Sequence, residues 1–197
     1  MPQTRARRAD AQRNVGALIE AARTVFATSG VDAPAKEITD LAGVGVGTLY
    51  RHFPQRSDLV KAVVESGIDA VADAGPALSA AHEPAEALTE WTHRFTELLA
   101  TKRGLASALH SGDPAFSELP GYFLQRLGPT LAALLDAAVA DGTVRDDLSA
   151  EDLLHALTQL SQPVPGRGPE HSQRTVAVLV DGLRCGAARQ PRAHRVS

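Results

Sequence analysis

The sequence predicts an all-α protein of about nine helices. Two observations carry this. Apolar residues recur three and four positions apart along nearly the whole chain, which is the spacing of one helix face. Glycine and proline fall mainly between these stripes, where helices end. No convincing strand pattern and no internal repeat interrupts them.

The first helix should run from about residue 11 to Ser29. Val15, Leu18, Ile19, Ala22, Val25 and Phe26 form its stripe, and Gly30 follows as a stop. Residues 1–10, with Arg5, Arg7 and Arg8, read as a disordered basic arm. A short second helix fits Ala35–Ala42, with Pro34 at its start and Ile38, Leu41 and Ala42 inward. Gly43-Val44-Gly45 is a turn. A short third helix, about Val46–Phe53, turns Leu49 and Phe53 inward, and Pro54 stops it. A connecting helix of 55–74 buries Leu59, Val63 and Ile68 and should end at Gly75-Pro76.

Residues 75–188 read as a helical bundle. A fifth helix, Pro84–Thr101, aligns Leu88, Trp91, Phe95, Leu98 and Leu99. A short helix covers about Leu105–Ser111, and Asp113-Pro114 breaks it. A long helix then spans about Gly121–Asp141. Ser149 and Asp152 form a capping pair for a helix of Ala150–Ser161. A proline-rich loop at 163–169 precedes the last helix, Glu170–Ala188, and residues 189–197 read as a disordered tail.

The net charge of −3 hides a division. Residues 1–62 carry nine Lys/Arg against six Asp/Glu, whereas 63–183 carry seven against 17. A basic end on an acidic body suits a nucleic-acid reader joined to something else. No apolar run approaches the roughly 20 residues that span a bilayer, so a soluble, cytoplasmic protein is expected. One cysteine, Cys185, excludes an internal disulfide framework.

Two short helices joined by a three-residue, glycine-containing turn make a helix–turn–helix, spanning 11–54 with the first helix. The second member of such a pair enters the DNA major groove N-terminus first. Here that end reads Gly45-Val46-Gly47-Thr48. Small residues allow close approach, and Val46 and the Thr48 methyl can touch a thymine methyl. Tyr50 and His52 have polar tips suited to phosphate oxygens. Arg56 stands at the start of the next helix, where its charge and free N–H groups can meet a phosphate. Lys36, Thr39 and Gly45 complete the candidate DNA contacts.

The run Ile38-Thr39-Asp40-Leu41-Ala42-Gly43-Val44-Gly45-Val46-Gly47-Thr48-Leu49-Tyr50-Arg51-His52-Phe53, followed by Arg56 and Asp58-Leu59, resembles the TetR family of bacterial transcriptional repressors. The resemblance covers about residues 12–64. It implies that Thr48, Tyr50, His52 and Arg56 hold DNA backbone and that Val46 and Gly47 face bases. It also implies that Leu41, Ala42, Leu49 and Phe53 form the small core. Gly45 departs from the family's usual capping Ser or Thr. The remaining helices are implied to sense a ligand and to dimerise, the last two pairing across a two-fold axis.

Two stripes, Leu153/Leu157/Leu160 and Val176/Leu179/Val180/Leu183, suit either a monomer's core or that interface, and dimer contact is the preferred reading. An effector pocket is expected between the fifth, sixth and seventh helices. Trp91, Phe95, Phe116, Tyr122 and Phe123 fall there with His110 and Arg126 as polar groups. No catalytic constellation, cofactor or metal is expected: there is no G-x-S-x-G elbow, and the seven histidines are scattered. Glu90-x-x-His93 and Asp152-x-x-His155 leave one rival, a helical-bundle metalloenzyme, but no further inward Glu supports it.

The expected function is that of a homodimeric, ligand-responsive repressor. It would bind a palindromic double-stranded DNA operator and be released by a small-molecule effector. An activator or a ligand-independent DNA binder is the alternative.

Overall fold

The first helix outruns its apolar stripe. In the computed structural model, which describes residues 2–101, 105–109, 111–162 and 164–187, α1 spans Pro2–Ser29. It therefore includes most of the stretch expected to be a disordered arm. Arg, Ala and Gln dominate residues 5–13 and are strong helix formers. Pro2 sits where the missing N–H costs nothing. The other helices are α2 (Ala35–Ala42), α3 (Val46–His52), α4 (Arg56–Ala81), α5 (Pro84–Thr101), α6 (Ala106–Leu109), α7 (Leu119–Ala140), α8 (Ala150–Leu160) and α9 (Pro169–Ala187). A 3-10 turn at Pro114–Phe116 precedes α7; its first N–H groups are capped by Asp113, which accepts from the Ala115 N–H at 2.9 Å. Among the described residues there is no strand. The expected tail and His110 lie outside the described residues.

The chain divides into two units. The first comprises residues 1–67 and 101–122. Its core gathers Leu18, Ala22, Val25 and Phe26 from α1, Ile38 from α2, Leu49 and Phe53 from and after α3, and Leu59, Val60 and Val63 from α4. Leu41 corrects the sequence reading, being 57% exposed. The inward position on α2 belongs instead to Thr39, next to Ile38. A two-turn helix has room for one inward row, and Ile38 already fills it.

The second unit comprises residues 68–100 and 123–197. Trp91 and Phe95 are fully buried and stack at 5.6 Å, with Phe123 tilted against Phe95 at 5.8 Å. Leu127, Leu131 and Leu134 of α7 join them. So do Leu153 and Leu157 of α8, and Val176, Val180 and Leu183 of α9. The last five correct the dimer reading: their side chains are used inside one chain. Leu160 at 36% exposure and half-buried Leu179 remain at the edge, while Val178, at 71%, is the most exposed large apolar residue of α9.

Gly75-Pro76 does not end α4. The helix passes through it to Ala81. Proline lacks the N–H that would reach the carbonyl four residues back, and its ring strains that turn. One side chain supplies the missing donor, and another adds a donor to the carbonyl just before it. The Thr130 hydroxyl donates to the Ala72 carbonyl at 3.3 Å, and the Trp91 indole N–H donates to the Val71 carbonyl at 3.0 Å. A buried carbonyl so partnered avoids the cost of an orphan, so the helix continues. Gly75 permits the approach: a Cβ there would lie 2.3 Å from Thr130 Cγ2. Further along, Arg126 Nε donates to Asp69 at 2.6 Å and Nη2 to Asp73 at 2.8 Å. These hydrogen bonds, Asp69's first, raise the guanidinium's pKa above its ordinary value. The group is partly exposed, so the clamp orients α7 on α4 more than it stabilises either.

Gly75→Ala should destabilise the protein by about 1–3 kcal/mol in urea titration, because the Thr130 methyl can leave only by rotating the hydroxyl off Ala72. Adding Thr130→Ser, which removes that methyl and keeps the hydroxyl, should reverse the sign, since alanine suits a helix better than glycine by roughly 0.5–1 kcal/mol. A double variant as unstable as Gly75→Ala would refute the contact.

Candidate nucleic-acid interface

The turn between α2 and α3 is set by backbone geometry. Gly43 adopts φ 68°, a left-handed conformation natural to glycine, and its N–H returns to the last turn of α2. The Val44 N–H closes the motif on the Thr39 carbonyl at 3.1 Å. Gly45 is then extended, and its carbonyl accepts from Thr48 N–H at 2.8 Å to begin α3. At the far end Phe53, before Pro54, leaves helical geometry and its N–H closes on Leu49. Asp58 accepts the Gln55 N–H at 2.8 Å and so caps α4.

On α3 the side chains sort by angle. Leu49 is buried and marks the inward direction. Gly47 and Arg51 lie two residues to either side of it, about 160–200° round the helix. Both are exposed, and nothing lies within 4 Å of where a Gly47 Cβ would be. Val46 at 42% and Tyr50 at 54% flank them. Thr48 and His52 are half-buried at the sides. The sequence-predicted Gly45, Val46, Gly47, Thr48, Tyr50 and His52 therefore share one short helix and its leading turn.

Three of the predicted contacts are occupied otherwise. Thr39 is 1% exposed, and its hydroxyl donates to the Lys36 carbonyl at 3.1 Å. That burial removes it from a DNA surface. Lys36 is exposed but pairs with Asp40 at 2.6 Å across one helical turn. Arg56 turns into the protein. Its Nε donates to the Val31 carbonyl at 2.7 Å, Nη2 donates to the Ala33 carbonyl, and the guanidinium lies 5.2 Å from the centre of the Phe26 ring. It holds the α1–α2 connection onto α4 instead of standing out as a phosphate ligand.

Sequence reasoning missed Arg51. It is exposed and, among the described residues, has no ion-pair partner. Counting angles from Leu49 would have found it. Of the three Lys/Arg between positions 36 and 56, it is the one the chain leaves uncommitted.

The candidate effector residues are differently placed. Trp91 and Phe95 are at 0% exposure, and Arg126 is held by two aspartates. Phe123 belongs to the second unit, whereas Phe116 and Tyr122 belong to the first. Among the described residues no three His, Cys, Asp or Glu gather to hold a metal, and no helix is long and apolar enough to cross a membrane.

Arg56→Ala should lower stability by about 1–3 kcal/mol, since it leaves two carbonyls without donors. Arg56→Lys should recover only part of this, a point charge being unable to serve both carbonyls and the ring face. Thermal unfolding without DNA checks it. An unchanged midpoint in Arg56→Ala would return the residue to the DNA surface.

Comparison with known proteins bears on both parts of the chain. Residues 18–63 match the model for bacterial regulatory proteins of the tetR family, and residues 83–185 match that for the C-terminal domain of SbtR-like transcriptional regulators. The crystal structure of the TetR transcriptional regulator SCO0520 from Streptomyces coelicolor is 34% identical, with a TM-score of 0.73 over 91% of this chain and 99% of that one. A TetR transcription regulatory protein from Mycobacterium vanbaalenii is 37% identical, with a TM-score of 0.70 over 90% and 98%. The HTH-type transcriptional regulator SAR0097 of Staphylococcus aureus is 35% identical over 68 residues. That match covers 33% of this chain and about a third (35%) of the relative's length.

Proposed function

The chain belongs to the TetR family of transcriptional regulators, and we propose that it is a homodimeric repressor whose paired α3 helices read a palindromic operator until a small molecule releases it. One observation carries the reading. A helix of seven residues, fixed by its buried Leu49, leaves Val46, Gly47, Tyr50 and Arg51 exposed together. Gly47 makes room for backbone to approach the groove, and Val46 offers an apolar contact to a thymine methyl. Tyr50, with Thr48 and His52, holds phosphates on either side and sets register. Arg51 is the base reader, its planar guanidinium matching the O6 and N7 of guanine.

A single α3 contacts few bases, and a two-fold dimer doubles them at fixed spacing. The dimer face is the outer side of α8 and α9, around Leu160, Val178 and Leu179, because the inner side is spent on the chain's own core. The acidic body keeps other surfaces off DNA by repulsion. Release by an effector follows if the effector prefers the state that binds DNA poorly; the operator must then weaken the effector by the same factor.

Selection of bound duplexes from a random pool should return a palindrome. Arg51→Ala should erase a guanine preference at one position of each half-site, a loss of about 1–3 kcal/mol in discrimination. Tyr50→Phe should instead weaken all sequences alike. No enriched palindrome would refute the operator reading, and an unchanged preference in Arg51→Ala would refute the base assignment. Val178→Asp should give monomer in sedimentation velocity with an unchanged circular dichroism spectrum; a persistent dimer would move the interface elsewhere.

A further inference from the structure

Within the second unit, α5 and α9 lie antiparallel, and their two ends differ. At one end they are pinned: Arg184 Nη2 donates to the Ala85 carbonyl at 3.0 Å and to the Thr89 hydroxyl at 2.9 Å. Toward the other end a cleft of about 410 Å³ lies between them. One wall is His93, Thr96 and Glu97, at i, i+3 and i+4 of α5. The other is Glu170, Gln173 and Arg174, at the same spacing on α9, with small Ala177 one turn further on.

These are the positions at which packed helices ordinarily interdigitate apolar side chains. Here most of them carry charge or amide groups. Thr96 is settled, buried with its hydroxyl donating to the Thr92 carbonyl at 2.8 Å. The charged groups are not. Among the described residues, Glu97, Glu170 and Arg174 form no ion pair, although opposite charges line the same cleft, and His93 beside them is likewise unpaired. All four are exposed, so water can satisfy them, but a small ligand can do so with less freedom to lose once the walls are fixed. The volume lies within the range of small-molecule sites, roughly 300–1,000 Å³. The lining is polar where such sites are mostly apolar, so the occupant must be polar too.

Two carboxylates and one guanidinium leave the cleft one negative charge in excess when His93 is neutral. We infer that it binds a small molecule with two cationic groups and one carboxylate, which is the chemistry of a basic amino acid. Glu97 and Glu170 take the cationic groups, Arg174 takes the carboxylate in a two-pronged hydrogen bond, and Gln173 supplies an amide at the same wall. Ala177 leaves room for the aliphatic stem. Binding itself does not depend on the operator reading; only its use as a release signal does.

Isothermal titration of the full chain without DNA tests this, using L-lysine and L-arginine, with L-glutamate and the diamine putrescine as comparisons. Saturable binding of the basic amino acids with a Kd below about 1 mM is expected. Glu97→Gln and Glu170→Gln should each weaken it roughly tenfold, the effect of losing one charge-assisted hydrogen bond. Arg174→Ala should abolish the preference for lysine over putrescine. All three side chains are exposed, so circular dichroism should show the variants folded. Absence of saturable heat up to about 10 mM, well above the affinity expected of two charge pairs, would overturn the inference. So would binding unchanged in the Glu97→Gln/Glu170→Gln double variant, or glutamate binding as well as lysine. Loss of operator binding in the unmodified chain would leave this result untouched, and the reverse also holds.

Discussion

A helix of two turns has too few hydrogen bonds to persist alone in water, so α3 has only the geometry its surroundings give it. Leu49 supplies the apolar anchor, inside a core shared by Leu18, Phe26 and Ile38. Arg56 supplies the polar one. Its guanidinium gathers the carbonyls of Val31 and Ala33 and lies against Phe26, so one side chain ties together the end of α1, the loop into α2 and the start of α4. With those three fixed, the Gly43 turn has one place to deliver α3. The cation that charge alone would assign to DNA thus helps fix where α3 lies, and Arg51 is left exposed on it.

The second unit follows a different economy. Its core is apolar, but two side-chain hydrogen bonds end on neighbouring carbonyls of α4: Thr130 serves Ala72, which proline leaves without its helical donor, and Trp91 serves Val71 beside it. Trp91 does both jobs, filling volume with its rings and reaching Val71 with its one N–H. Where α5 and α9 meet beyond that core, charged and amide side chains line a cleft between them.

Legibility in the sequence varied with the range of the controlling interaction. The bounds of α2 and α3 were readable nearly to the residue because Pro34, Gly43 and Pro54 act on their neighbours. The exposed Val46, Gly47 and Tyr50 followed from those bounds. Gly75-Pro76 is misleading in the sequence because its compensation comes from Thr130, more than fifty positions away. The apolar stripes of α8 and α9 are legible as stripes. Period alone does not say whether such a stripe faces its own chain or a second copy, and burial assigns Leu153, Leu157, Val176, Val180 and Leu183 to the first. Arg56 shows the same limit for charge: a composition count gives its sign, not the carbonyls it will meet.

The Gly75, Pro76 and Thr130 arrangement also constrains how the sequence can drift. Position 75 can gain a side chain only after position 130 has lost its methyl. Position 130 can lose its hydroxyl without orphaning the Ala72 carbonyl only after position 76 has regained an N–H. Lineages descending from this chain should therefore pass through these substitutions in a preferred order, so that the three sites are inherited as a linked set while their exposed neighbours vary independently.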